Sequence, residues 1–392
     1  MRILFTLTPA FDPNAGGVQR TTYKLGKYFS EQGLSVAYYS LSDKGHVEVE
    51  YGVLFSAPEN GRNKNPKNIR DLKEVLHKWQ PDIVINQMPY EKELREVLSQ
   101  NKQTLGFVLL GCLRNSLFSF KSNARENMGQ MLPSPLFKLL DNSLGIGIIQ
   151  KRHWLKHRKD LMRILDAHDR FILFAPPNQQ ELEHFVGNYK SEKVLAIPNS
   201  IPEVFSGDVK KEKIILHVGR LNIQQKRSDL LLDFWEHAHD RLPDWRFVIV
   251  GDGPYMNALK ADLKKRNLPR VDMEGYQKPE PYYKKASIFM MPSAYEGFPN
   301  TLIEAQSYGC AVLAFDSYGV LGWIVKEGND ALLSKPFDAT HMATQAVRLA
   351  ADSEALHTMQ RAALTNAGRF TIDRVGEVWL RLFDELKKVP TT

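Results

Sequence analysis

The chain has 392 residues, 43% of them apolar and 25% charged, a balance that excludes a disordered or fibrous protein. Its formal charge of +7 suits acidic partners such as nucleotide phosphates or anionic lipid. Only two cysteines occur, Cys112 and Cys310, which excludes a disulfide framework and a cysteine-based zinc site and fits a reducing compartment.

At roughly 100–200 residues per domain, the length predicts two domains. Residues 1–8 turn polar too quickly for a signal peptide and read as a buried first strand. The longest strongly apolar stretch, 105–113, is far short of the ~20 residues of a spanning helix. A cytoplasmic protein is expected, peripheral at the inner face of a membrane at most.

Taken in order, residues 3–8 predict a strand, 18–31 a helix stopping at Gly33, and 35–41 a strand. A helix over 71–79, a strand over 83–87, a helix over 91–100 and strands over 105–110 and 171–174 follow. The second half repeats the alternation: strand 213–218, helix 228–240, strand 246–250, helix 255–266, strand 287–291, helix 301–308 and strand 311–315. Such alternation implies parallel sheets built from right-handed βαβ units. The predicted architecture is α/β, two doubly wound Rossmann-like domains with ligands beyond the carboxyl ends of the strands. The expected division is 1–200, 201–370 and a closing amphipathic helix over 371–392, with Val375, Val378, Trp379, Leu382 and Leu386 on its apolar side.

Residues 121–163 break the pattern. Within them, Lys151-Arg-His-Trp-Leu-Lys-His-Arg-Lys159 is densely basic. It reads either as a solvated helix face or as a surface over 151–163 for anionic membrane or a lipid-linked acceptor. No nucleic-acid motif accompanies it, so no nucleic-acid partner is expected. His153 and His157 are expected to be solvated.

Three loops carry candidate chemistry. Glu296-Gly-Phe-Pro-Asn-Thr-Leu-Ile-Glu304 follows a strand and opens a helix, whose unpaired N–H groups suit a phosphate. Two carboxylates around it suit sugar hydroxyls, although Thr301-x-x-Glu304 also reads as a capping box. In His217-Val-Gly-Arg-Leu-Asn-Ile-Gln-Gln-Lys-Arg227, Arg220 and Lys226 are cations at a strand-to-helix loop, placed to neutralise a departing diphosphate or merely to be solvated. In Asn14-Ala-Gly-Gly-Val-Gln-Arg20, paired Gly16 and Gly17 permit close backbone approach to a ligand or simply a turn. Glu274-Gly-Tyr-Gln277 offers backbone at Gly275 and Tyr276 to a nucleotide base. Gly251-Asp-Gly-Pro254 lacks the third glycine of a dinucleotide fingerprint and reads as a tight turn, against an oxidoreductase. No Asp-x-Asp triplet and no histidine metal pair occur, so no metal or cofactor is expected.

Together these motifs resemble family 4 of the glycosyltransferases, the retaining enzymes of the GT-B fold, over nearly the whole chain. The resemblance implies that Arg220 and Lys226 grip a donor diphosphate, Glu304 the ribose and Glu296 the transferred sugar. It also implies backbone contacts from Phe298, Asn300 and Thr301, Gly17 closing on the diphosphate, and a final helix, about Thr371 to Lys388, that crosses back to pack on the first domain. It favours a UDP-linked hexose or N-acetylhexosamine as donor and a glycan or lipid-linked acceptor in surface polysaccharide synthesis. Many members carry a histidine where Gly111-Cys-Leu-Arg-Asn-Ser116 places Arg114, which cannot serve as a base. An active-site and a structural role for Arg114 both stay open. So do a non-catalytic nucleotide-sugar-binding homologue and a GT-B epimerase.

Overall fold

A computed structural model describes residues 1–7, 11–13, 16–41, 48–58, 65–118, 140–201, 203–207 and 210–388. Asn14, Ala15, Pro202 and most of the irregular stretch before residue 140 lie outside the described residues. The chain divides into two units. The first contains Met1–Leu117, Asn142–Ser200 and the final helix Ile372–Lys388; the second contains Ile201–Thr371.

Unit 1 is a seven-stranded parallel sheet ordered β3-β2-β1-β4-β5-β6-β7. Its strands are β1 (Arg2–Leu7), β2 (Ser35–Ser40), β3 (Val53–Ser56), β4 (Ile83–Asn86), β5 (Val108–Cys112), β6 (Arg170–Leu173) and β7 (Val194–Ala196). β1 shows why the sheet is covered on both sides. Side chains alternate across a strand, so Ile3, Phe5 and Leu7 face one apolar cluster with Phe29 and Trp379, while Leu4 faces another with Leu72, Leu76 and Leu98. The first cluster includes α1 (Gly17–Glu31), and the second α2 (Pro66–Trp79) and α3 (Lys92–Leu105).

Helix boundaries follow local chemistry. α2 begins at Pro66, earlier than its apolar spacing indicates, because the Asn65 side chain accepts from Lys67 N at 2.9 Å and proline occupies the first turn. Leu105 ends α3 rather than opening a strand, because Gly106 at φ 72° caps the helix. The basic segment lies on α4 (Ser143–Ala167), whose Asn142 side chain caps it at 2.9 Å, and α5 (Pro176–Val186) follows β6. His153 and His157 correct the expectation of solvated rings. Their centroids lie 4.7 Å apart, and His157 stacks on Tyr90 at 5.6 Å. Burial, helped by the neighbouring His157 and Lys156, pushes His153 down to about 4.

Unit 2 is a six-stranded parallel sheet ordered β10-β9-β8-β11-β12-β13. These are β8 (Glu212–Val218), β9 (Arg246–Val250), β10 (Val271–Gly275), β11 (Ala286–Met291), β12 (Ala311–Phe315) and β13 (Ala331–Ser334). Its helices are α6 (Leu230–Ala238), α7 (Met256–Arg266), α8 (Glu280–Lys285), α9 (Asn300–Ser307), α10 (Leu321–Ile324), α11 (Ala339–Ala351) and α12 (Ser353–Ala367). The chain enters and leaves this unit side by side: Ile201 bridges Thr371, and Ile201 N donates to Phe370 O at 2.8 Å.

The final helix, α13 (Ile372–Lys388), packs on α1 within unit 1. Val375, Trp379, Leu382, Phe383 and Leu386 are buried, whereas Val378 is exposed and lies off the apolar face expected for it. Gly376 lets the two helices touch, since a Cβ there would sit 2.2 Å from the Tyr28 ring.

Candidate functional site

In a doubly wound sheet, ligands sit outside the carboxyl ends where the strand order reverses. In unit 2 that place lies between β8 and β11, from which the chain winds both ways. The loops leaving these strands carry Arg220, Lys226 and Glu296, and the structure brings Lys226 and Glu296 into contact.

Lys226 Nζ lies 2.6 Å from Glu296 Oε1, with side chains only 13% and 7% exposed. Gln225 Nε2 donates to Glu296 Oε2 at 3.1 Å, and Ala294 N donates to Gln225 O at 2.7 Å, so the loops are laced together. Lys226 is held by its own loop: Asn222 Oδ1 accepts from Gln225 N and Lys226 N, both at 3.0 Å. Asn222 and Gln225 escaped the sequence reading. The signal was an asparagine ahead of a turn, whose side chain can accept from N–H groups three and four residues on, as a helix N-cap does.

Arg220 has a different surrounding. It is exposed and makes no hydrogen bond or ion pair among the described residues. Its charge is therefore open to a ligand, while Lys226 is anchored by a carboxylate and keeps further N–H donors.

Buried polar groups surround the pair. His217 Nδ1 donates to Met290 O at 3.2 Å across β8 and β11, and its Nε2 has no partner among the described residues. Burial, reinforced by the charge of Lys226, pushes His217 down to about 4, so the ring is neutral near pH 7. Burial, reinforced by the charge of Glu296, pushes the Tyr318 hydroxyl well up, and that hydroxyl also lacks a partner among the described residues.

The glycines after β9 are explained by packing rather than by a tight turn alone. Gly251 has φ 144°, and a Cβ on it would lie 1.9 Å from Gly219 O. Leu221 N donates to Asp252 O at 2.9 Å, tying the loop that carries Arg220 to the loop after β9. Gly251 N in turn donates to Gly275 O at 2.7 Å, so that carbonyl faces its neighbour strand, while Tyr276 is exposed.

The Glu304 segment corrects two expectations. The residue before α9 is Pro299, and no side chain caps the helix, so Thr301-x-x-Glu304 is no capping box. Glu304 falls beyond the first turn and is buried, with Tyr283 OH donating to it at 3.5 Å. Asn300 N donates to Phe298 O at 2.9 Å within the Pro299 turn, which removes it from the free N–H groups expected there. Phe298 is buried against Phe370, and Thr301 opens the helix beside Asn300.

Unit 1 holds the remaining candidates at its own carboxyl edge. Gly16, at φ 58°, precedes α1 and Gly17 begins it, both exposed. Arg114 follows β5. Its Nε donates to Gln87 Oε1, its Nη1 to Asn199 Oδ1 at 3.2 Å, and it lies over the Phe174 ring at 5.4 Å. No group of three or more potential metal ligands occurs among the described residues.

Residues 212–352, most of unit 2, match the family described as Glycosyl transferases group 1. The chain is 27% identical to an amylovoran biosynthesis glycosyltransferase, AmsD, of Erwinia amylovora over 77% of this chain and 78% of that one. It is 30% identical to an exopolysaccharide phosphotransferase of Streptomyces coelicolor over 56% of this chain, which spans only 24% of that protein. In fold it resembles Anabaena HepE, solved in complex with UDP and glucose, with a TM-score of 0.73, 16% identity and coverage of 98% of this chain and 100% of that one. Residues 212–352 thus resemble the group 1 glycosyltransferases, and the two parallel sheets share the GT-B fold of the solved structures.

Proposed function

We propose that the protein is a retaining, metal-independent glycosyltransferase that moves a hexose or N-acetylhexosamine from a UDP-sugar to a glycan or lipid-linked acceptor. The observation that carries this reading is the Lys226–Glu296 pair at the reversal point of unit 2, with the unengaged Arg220 in the same loop. Two cations there suit a diphosphate. Arg220 binds it from solvent, and Lys226 bridges it to Glu296, whose carboxylate is aligned by Gln225 to accept from a sugar hydroxyl. Glu304, buried on α9, is assigned to the ribose. The UDP and glucose bound to HepE, and the part of AmsD in amylovoran biosynthesis, support a UDP-sugar and polysaccharide synthesis.

In the proposed reaction the bond from the anomeric carbon to the donor phosphate breaks and a bond to the acceptor oxygen forms on the same face. The acceptor proton passes to the departing phosphate. The cations stabilise that phosphate as charge develops on it. A panel of UDP- and GDP-sugars, tested with EDTA present and with product anomers read by NMR, checks each part. An inverted anomer, or dependence on added metal, overturns the corresponding statement; a changed sugar still attached to UDP would point to the epimerase.

A peripheral membrane contact through α4 is part of the proposal. Leu144, Ile148 and Leu155 are exposed on one helical face. Exposed Lys151, Arg152, Lys156 and Lys159 lie along the same helix, a composition that fits an anionic lipid surface. Trp154 takes no part: its Nε1 donates to His184 O at 3.2 Å, which turns it toward the body of unit 1. No described helix is long and apolar enough to cross a membrane.

A further inference from the structure

Arg114 is a half-buried cation with no carboxylate beside it. Among the described residues it makes no ion pair, and its hydrogen bonds go to two neutral amides, Gln87 and Asn199. The nearby carboxylate is otherwise engaged, since Glu181 accepts from Ser116 Oγ at 3.0 Å and from Leu117 N at 2.8 Å. Two enclosed polar atoms at this place, Arg114 Nη2 and Gln87 Nε2, lack partners among the described residues, as does Ser200 Oγ, next in the chain to Asn199. They come from the segments that follow β5, β4 and β7, all at the carboxyl edge of one sheet.

A half-buried cation without a counter-ion and enclosed donors without acceptors are both costly. One kind of ligand relieves both. An oxyanion supplies negative charge and several acceptor oxygens, and arginine's planar fork matches it in a bidentate fashion. A neutral sugar hydroxyl supplies an acceptor but no charge.

We propose that the Arg114 pocket, with Gln87, Asn199 and Ser200, is a binding site for an oxyanion on the substrate that unit 1 receives, either a carboxylate or a phosphate. That the ligand is a substrate group rests on the proposed transferase function; that the pocket binds an oxyanion does not. Burial draws Arg114 below the ordinary arginine value, opposed only by the Cys112 thiol, so the local field lacks an acidic group to balance it. Arginine nevertheless stays charged. A chain of this kind would act on an acidic saccharide or on a phosphate-linked acceptor.

The test titrates the full-length protein, saturated with UDP so that the phosphate-binding groups of unit 2 are filled, with inorganic phosphate, glucuronate and glucose. Binding is followed by calorimetry and by the rise in Tm. The expected result is binding of one or both anions and none of glucose, weakened at least tenfold in Arg114→Gln. Gln87→Glu supplies a counter-ion in place, so it is expected to raise the ligand-free Tm and abolish anion binding. Phosphate alone would identify a phosphate group, and glucuronate alone a carboxylate. The proposal is overturned if neither anion binds, if glucose binds as well as glucuronate, or if Arg114→Gln and Gln87→Glu bind anions as the wild type does. Should UDP fail to bind, the donor reading fails by itself, and the same titration in an Arg220→Ala background still decides the Arg114 pocket.

Discussion

Lys226 and Glu296 stabilise each other only as a pair. Each is nearly enclosed, so removing one leaves a charge in a low-dielectric setting. Lys226→Met is therefore expected to cost about 3 kcal/mol of stability, and Lys226→Met with Glu296→Gln distinctly less, because no orphan charge remains. A double-mutant cycle by urea unfolding measures this coupling; additive losses would show that the contact carries no energy. The same scale holds a pH effect. His153, His168 and His217 are each pushed down to about 4, chiefly by burial. A base held neutral in the native state favours folding fully above its unfolded pKa near ~6.5 and loses that contribution as pH falls toward about 4. For the fully buried His217 and His168 the slope approaches about 1.4 kcal/mol per pH unit each. The urea midpoint should therefore fall between pH 6.5 and 5; a flat midpoint there would contradict the buried neutral rings.

Among the elements, what was legible and what was not divides cleanly. β1, β8, β9, β11 and β12 are interior strands, covered on both faces, and their apolar runs show plainly in the chain. The four strands the sequence reading missed, β3, β7, β10 and β13, are the four sheet edges. They have three to five residues, too few for periodicity to register. The roles of Gly251 and Gly376 were illegible for another reason: each is set by a neighbour distant in sequence, Gly219 O in one case and the Tyr28 ring in the other. Gly251→Ala is expected to cost at least about 2 kcal/mol, from both the positive φ and the contact with a backbone oxygen that cannot rotate away. A denaturation midpoint equal to the wild type's would refute the assignment. On α4, replacing Leu144, Ile148 and Leu155 by serine should cut binding to anionic vesicles several-fold while binding falls steeply with salt. Equal binding to neutral and anionic vesicles would remove the membrane contact from the proposal.

For the whole molecule, the two doubly wound sheets and the placement of Arg220, Lys226 and Glu296 at strand ends were readable, because glycine and charge interrupt apolar runs there. The pairing of Lys226 with Glu296, 70 residues away, was not, since no local pattern announces a contact between two loops. Nor did the sequence show that Glu304 lies outside any cap. In the proposed function, unit 2 holds a nucleotide diphosphate sugar through the free Arg220 and the anchored Lys226. The most direct test is nucleotide release from UDP-sugars by the wild type and by Arg220→Ala at matched protein concentration. UDP release by the wild type and a loss of about 100-fold or more in Arg220→Ala are expected, because a group stabilising leaving-group charge is removed. Release undiminished in Arg220→Ala, or no binding and no release with any nucleotide sugar, would contradict the proposed function.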